Sequence, residues 1–441
     1  MELNDKYLLA YKSFCSTDTT SSVQKKISAL SYSSNLDLLC DFHSDVLNKL
    51  LSKFLPRLSY VDIVRADRID TLDDLLKTLA FFCINGIGGE VDIGNIDLEI
   101  LRGLFHWKYG IGGTAAQAAK ALAAVNFSSI VHLTDNSKEV CDLLFSPYIY
   151  VVNEKGRLVH TNELDSYGNP EIHYIFQFKK GETIKIGSEK ILIPNSNRLI
   201  LTRTTINNFL PFNKPFFEYI EQNANKIGSN LISGFNTIVD EKLLIDRLDF
   251  VVKHIKKYKI RNPSGIVIFE DAHYHNFQIK KMCLETILPN IDIFSLNDEE
   301  IKYILESFRF FSDTQDIIYI IQGAKFIKDR FNIQKGIIVH SKDYSMYIGD
   351  LFDINIERGL IYGNLLATSK AMFGEYGNKE KILEVLKLPT SNKGTIAESK
   401  VSKSNYCKEV VIVPTKYIEM PKYTIGLGDS FIAGFQITFL M

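Results

Sequence analysis

From about residue 205 onward the chain alternates helical and strand patterns, and this restricts the fold more than any other feature. Residues 240–258 place Leu243, Leu244, Leu248, Val251, Val252 and Ile255 at helical spacing, with lysines gathered in the last turns. The turn Asn262-Pro263-Ser264-Gly265 leads into the apolar run Ile266-Val267-Ile268-Phe269. A second helix, the run Ile291-Asp292-Ile293-Phe294, another helix and the run Gly336-Ile337-Ile338-Val339-His340 follow. Such alternation predicts an α/β fold with a parallel sheet covered by helices on both faces. Ligands of such sheets bind beyond the carboxyl ends of the strands.

Residues 145–204 differ. They hold short β-prone runs, among them 148–152, 173–178, 183–186 and 199–202, separated by turn signals such as Gly168-Asn169-Pro170 and Lys180-Gly181. They predict a small, mostly antiparallel sheet, a lid over the binding edge of a larger domain at 205–441. Residues 1–144 are expected to contribute to both parts. A length of 441 residues is too great for one simple core and suits this division.

Charge excludes some partners. Lys plus Arg is 51 and Asp plus Glu is 52, which gives no electrostatic reason to expect nucleic acid or an anionic membrane. No apolar run approaches the ~18 residues that span a bilayer. The start, Met1-Glu2-Leu3-Asn4-Asp5-Lys6, lacks a signal-peptide pattern, so the expected compartment is the cytoplasm. The six cysteines form no CxxC pair and are expected to be buried free thiols.

Three segments carry chemistry. In Thr424-Ile425-Gly426-Leu427-Gly428-Asp429-Ser430, two glycines permit a tight turn whose N–H groups can approach an anion, just before an apolar helix. Asp429 stands at the same point. Donors for phosphoryl charge beside a carboxylate that accepts a hydroxyl proton are the parts of a kinase site. An ordinary glycine turn with Asp as N-cap would read the same way. In Gly112-Gly113-Thr114-Ala115 a glycine turn enters a small-residue helix, which suits close approach of a ligand or of another helix. In Asn297-Asp298-Glu299-Glu300 the oxygens of Asn297 and Glu300 suit Mg²⁺ held through water, and the same two residues make a capping box.

The order of these segments resembles the ADP-dependent glucokinase/phosphofructokinase family, within the ribokinase-like class, over residues 80–435. The likeness is carried by Trp107 before Gly112-Gly113-Thr114-Ala115, by Ile172-His173-Tyr174, Asn197-Arg198-Leu199-Ile200, Ile232-Ser233-Gly234-Phe235-Asn236, Asn297-x-x-Glu300, Val339-His340-Ser341 and the Gly426–Asp429 turn. The resemblance implies a ribokinase-like α/β/α large domain, a β lid, Mg²⁺, and transfer of a phosphoryl group from ADP to a sugar or sugar phosphate, with AMP released in glycolysis. Asp429 would be the base, with Leu427, Gly428 and Asp429 N–H groups as the anion hole. Glu270, Asn297 and Glu300 would hold Mg²⁺. Glu90, Gly113, Thr114, His173, Lys179 and Arg198 would meet the sugar, and Gly426, Gly428 and His340 the nucleotide. A monomer or small homo-oligomer is expected.

Some family positions are altered. The early strand with its sugar-holding Asn and Asp is placed on 10–18, where Lys12, Phe14 and Ser16 stand at the expected positions and Asp18 is the nearest acid. Gly110 stands for an Arg, and Ile268 for the His of a His-x-Glu. In the resembled family, basic lid residues favour a phosphorylated sugar and a pocket acid favours glucose; here Lys179, Lys180, Arg198 and Arg203 point to fructose 6-phosphate and Glu90 to glucose. The alternatives are an ATP-using ribokinase-like enzyme, or a nucleotide-binding protein silenced by the altered 12–18 stretch.

Overall fold

The apolar runs after residue 205 become neighbouring strands of one ten-stranded sheet in the computed structural model. The structure describes residues 2–16, 26–165, 168–274, 276–311, 316–352 and 354–441. Ile227–Ile232, Ile266–Glu270, Ile293–Asn297 and Gly336–His340 run parallel, side by side. Ile27–Ser31 and Ser129–Val131 continue the parallel array on one side. Tyr344–Gly349 and Val410–Pro414 close the other side antiparallel.

Successive residues of a strand face opposite sides, and both sides here are apolar. Val267 and Phe269 enter one core with Leu244, Leu248 and Val251 of the helix Glu241–Arg261. Ile266 and Ile268 enter the other with Ala118, Leu122, Leu360 and Ile432. The large domain is therefore the three-layer α/β/α architecture expected from the alternation.

The second sheet has six strands, in the order Arg68–Ile69, Gly89–Ile93, Asn197–Thr202, Ile172–Phe178, Asn35–Asp41, Lys108–Gly112. One face packs Leu38, Tyr174, Phe176, Leu199 and Leu201 against Leu47, Leu75 and Leu79 from two covering helices. The other face carries Asp37, His173, Gln177, Arg198 and Glu90, placed together by the period of two and by pairings such as Asp37 with His173 and Gln177 with Arg198.

The sheet assignments differ from the sequence expectation. Ile149–Val152 pairs with Ser129–Val131 and belongs to the large sheet. Among the described residues Thr183–Ile186 pairs only with Glu189–Leu192. Four of the six small-sheet strands come from residues 35–112, and the sheet is mixed rather than mostly antiparallel, with Asn197–Thr202 parallel to Gly89–Ile93. An apolar run does not name its partner, so these memberships rest on tertiary pairing. Residues 10–16 are no strand either. They lie in the helix Leu3–Ser16, which buries Tyr7, Ala10 and Phe14 and donates from Tyr7 Oη to the Pro414 carbonyl. Asp18 lies outside the described residues. Of the free cysteines, Cys15 and Cys407 are exposed and the other four buried.

The chain passes between the two sheets at several points, and one crossing is held by His132. Its Nδ1 donates to the Tyr32 carbonyl at 3.1 Å and its Nε2 accepts from the Asn213 N–H at 2.9 Å, within edge contact of Tyr32 and Phe216. Burial pushes its pKa down to about 4, against a smaller upward pull from the Tyr32 carbonyl. The unfolded chain then takes up the proton first. The stability from neutral His132 is fully present above pH ~6.5 and is lost as pH falls toward 4. The stability advantage of wild type over His132→Gln should shrink by up to ~1.4 kcal/mol per pH unit across that window, measured by urea unfolding. A difference that stays constant with pH would contradict the assignment.

Candidate active site

Strand ends of the large sheet and the polar face of the small sheet meet at the turn before the helix Leu427–Gln436. Gly426 caps that helix with φ 63°. A Cβ there would overlap Gln117 Oε1 and Lys370 Nζ, and the left-handed φ favours glycine. The N–H groups of Leu427, Gly428 and Asp429 occupy the first turn, where no intrahelical carbonyl is available to them. The first backbone bond of the turn is Ser430 N–H to Gly426 O, at 3.1 Å.

Asp429 is half-buried and not sealed in the core. Burial pushes its carboxyl above the usual range, Lys370 pulls it back, Glu270 pushes it up again, and a hydrogen bond with Thr114 and the charge of His340 lower it. Glu270 and His340 from the large sheet and Lys370 and Thr114 from two helices thus converge on this carboxylate.

Across the cleft, Asn35 and Asp37 enter from the small sheet. Asn35 Nδ2 donates to Asp37 Oδ1 at 2.7 Å and to His173 Nδ1 at 3.2 Å. The His173 proton is then on Nε2, which is buried and has no partner. Burial holds this histidine neutral, near pKa 4. Burial also lifts Asp37 to about 7, with Lys370 and Asn35 lowering it and Asp429 raising it. Gly112 permits the approach, since a Cβ on it would strike Asn35 and Asp37. The Asn and Asp expected at Lys12 to Ser16 are not on a strand there, since those residues are helical, whereas Asn35 and Asp37 stand on a strand of the small sheet. Sequence reasoning missed them because it placed the early strand one element too soon.

Arg198 stands on the same face, within electrostatic reach of Glu299, Glu90, Asp429 and Glu300, and burial lowers its pKa. Its Nη1 donates to Asn197 Oδ1 at 3.2 Å while its Nε has no partner. Gln177 Oε1 accepts from the Thr424 N–H at 3.3 Å, joining the small sheet to the Gly426–Asp429 turn. Lys179 stands one residue beyond the strand Ile172–Phe178. Gly113 and Thr114 open the helix that follows the small-sheet strand Lys108–Gly112.

The acidic group behind the turn is also assembled. Glu270 Oε1 accepts from His340 Nε2 at 3.1 Å, and Glu270 Oε2 is buried without a partner. Burial would lower His340, but Glu270, Glu300 and Asp298 raise it. His340 also packs on Phe431 at 4.9 Å between ring centroids, so it is a partner of Glu270 as well as a neighbour of Gly428. Asn297 and Glu300 form the capping box: Asn297 Oδ1 accepts from the Glu299 and Glu300 N–H groups, and Glu300 Oε2 from the Asn297 N–H at 2.8 Å. Burial, then Asp271 and Glu270, lift Glu300 to about 8. Among the described residues no three acidic, His or Cys side chains converge as direct metal ligands. The orphaned Glu270 oxygen and the crowded Glu300 instead fit a divalent ion held through its water shell.

A family model described as the ADP-specific Phosphofructokinase/Glucokinase conserved region matches residues 26–436. An ADP-specific phosphofructokinase of Pyrococcus furiosus is 24% identical over 93% of this chain and 96% of its own. An ADP-dependent glucose/glucosamine kinase of the same organism is 23% identical over 84% of this chain and 86% of its own. Among solved structures, an ADP-dependent kinase in complex with fructose-6-phosphate and ADPβS superposes with TM-score 0.78, at 21% identity, over 100% of this chain and 99% of that one.

Proposed function

The chain belongs to the ADP-specific phosphofructokinase/glucokinase family, and from that premise we propose that it transfers the β-phosphoryl group of ADP to a hydroxyl of a hexose phosphate or hexose, releasing AMP. One observation carries the reading: a carboxylate at a helix N-terminus with unpaired N–H groups, facing an Asn35–Asp37–His173 cluster whose free donor points to a missing polar ligand.

Asp37, Asn35 and the His173 Nε2–H hold sugar hydroxyls and fix which one meets Asp429. Asp429 accepts the proton of that hydroxyl as it attacks phosphorus. The N–H groups of Leu427, Gly428 and Asp429 receive the charge carried by the transferring phosphoryl oxygens. The polar face of the small sheet covers the reaction and excludes water. Glu270 and Glu300, with Asn297 fixing Glu300, would hold Mg²⁺ through its waters, and the ion would neutralise phosphate charge. Gly428 and His340 stand on the nucleotide side.

The favoured acceptor is fructose 6-phosphate. Arg198 supports this, since its unpaired Nε and planar fork suit a sugar phosphate. Glu90, within reach of the same guanidinium, supports glucose as a second acceptor. The silent-protein alternative drew on the 12–18 stretch; residues 10–16 are helical, and in the present reading Asn35 and Asp37 take that role. No helix among the described residues is long and apolar enough to cross a membrane.

AMP release should be followed with ADP and Mg²⁺ against fructose 6-phosphate, glucose and a wider sugar panel. Turnover with fructose 6-phosphate is expected, and Asp37→Ala should raise the sugar KM roughly tenfold, from lost hydrogen bonds to a charged group. Faster turnover with ATP than with ADP would overturn the donor assignment.

A further inference from the structure

Lys370 has no part in the reaction as derived, yet it is a lysine buried to 5% exposure at the centre of the site. It sits in the last turn of the helix Ile356–Phe373. Its Nζ donates to Gln117 Oε1, to Tyr376 Oη at 3.1 Å and to the Gly426 carbonyl at 3.5 Å. Tyr376 Oη also donates to Gln117 Oε1 at 3.0 Å, and the ammonium lies 4.2 Å from the Tyr376 ring centroid. An ammonium has three N–H donors and here meets three acceptors from three separate segments. Asp37 and Asp429 are the two carboxylates whose charge it feels.

Burying an ammonium is costly unless geometry and counter-charge offset it. A core position needing only bulk would take Met or Leu. This site instead spends Gln117, Tyr376 and a backbone carbonyl on one charge, and the carbonyl belongs to the residue that caps the anion-hole helix. We propose that Lys370 is a positioning residue for phosphoryl transfer. Its ammonium ties the Gly426 turn to the sugar-side helix Thr114–Ala123, and so keeps Asp429 and the Leu427–Asp429 N–H groups aimed at the hydroxyl held by Asp37. This rests on the reading of Asp429 as the base.

The role predicts a loss in kcat rather than in binding, because the turn is displaced while the groups that hold sugar and nucleotide remain. Lys370→Met should lower kcat roughly tenfold or more, as small displacements of reacting groups do. Its sugar and ADP KM should stay within about threefold of wild type, and Lys370→Arg, which keeps the charge, should recover part of the rate. Tyr376→Phe leaves the ammonium but removes one of its acceptors, and should lower kcat a few-fold at unchanged KM. Tyr376→Phe decides the matter if Lys370→Met fails to fold. Wild-type kcat in Lys370→Met, a rise in sugar KM without a fall in kcat, or no rate change in Tyr376→Phe would each overturn the proposal. An inactive wild type across the sugar panel would instead remove the kinase reading itself, so the two failures are distinguishable.

Discussion

Asp429→Asn is expected to lower kcat by ~10²–10⁴-fold, the range of a positioned general base, while the fold and the substrate affinities persist. The substitution is nearly isosteric, so it keeps the volume at the helix N-terminus and an oxygen for the Thr114 contact. What it removes is the ability to take a proton. It also removes a charge that burial, Glu270 and Asp37 oppose and Lys370 favours, with the balance lying against the charged form. The favourable interaction of a carboxylate with the first helical turn is worth only ~0.3–1 kcal/mol, so relief of repulsion offsets much of its loss. The signature is therefore a large fall in kcat with the melting temperature held or raised. If Asp429 served only as a first-turn helix acid, the order would reverse, with a modest loss of stability and an intact rate. A kcat within about fivefold of wild type would remove Asp429 from the mechanism.

The Gly426–Asp429 turn was legible because its chemistry is local. Two glycines, a carboxylate and the onset of an apolar helix fall within five residues, and local sequence fixes their relation. The residues of the small sheet's polar face were legible only where a strand announced itself. His173 and Arg198 lie in recognisable β-runs. Asn35 and Asp37 did not stand out, because their place depends on the chain leaving the large sheet at Ser31 and entering the small one at Asn35. A signal against the misplacement was present. Tyr7, Ala10 and Phe14 recur at helical spacing, which argues for the helix that residues 3–16 form. Lys370 was illegible in principle, since a lysine near a helix C-terminus reads as a solvated charge favoured by the helix dipole. Only the meeting of three segments makes it a buried cation. Asn297 and Glu300 show a different limit, because the capping box and the acidic cluster use the same atoms and neither reading displaces the other.

The second large effect is expected at the same turn, from Gly426→Ala. Its left-handed φ of 63° costs an alanine ~1–2 kcal/mol. The added methyl would also overlap Gln117 Oε1 and Lys370 Nζ, so it must push apart the contacts that hold the turn. Displacing the N–H groups of an anion hole costs ~10²–10³ in kcat per donor lost, and the whole first turn moves together here. Gly428→Ala is the control. Its φ is not left-handed, and a Cβ would meet His340 Cε1 at 3.2 Å, a contact that a shift of a few tenths of an ångström relieves. The rate loss at 426 should therefore greatly exceed that at 428. A third variant separates strain from collision. Asn tolerates the left-handed region but carries the same Cβ, so Gly426→Asn should remain as impaired as Gly426→Ala if the methyl is what matters. Recovery of activity in Gly426→Asn would show that backbone strain alone set the requirement, and that the packing of Gln117 and Lys370 against the turn does not govern the rate.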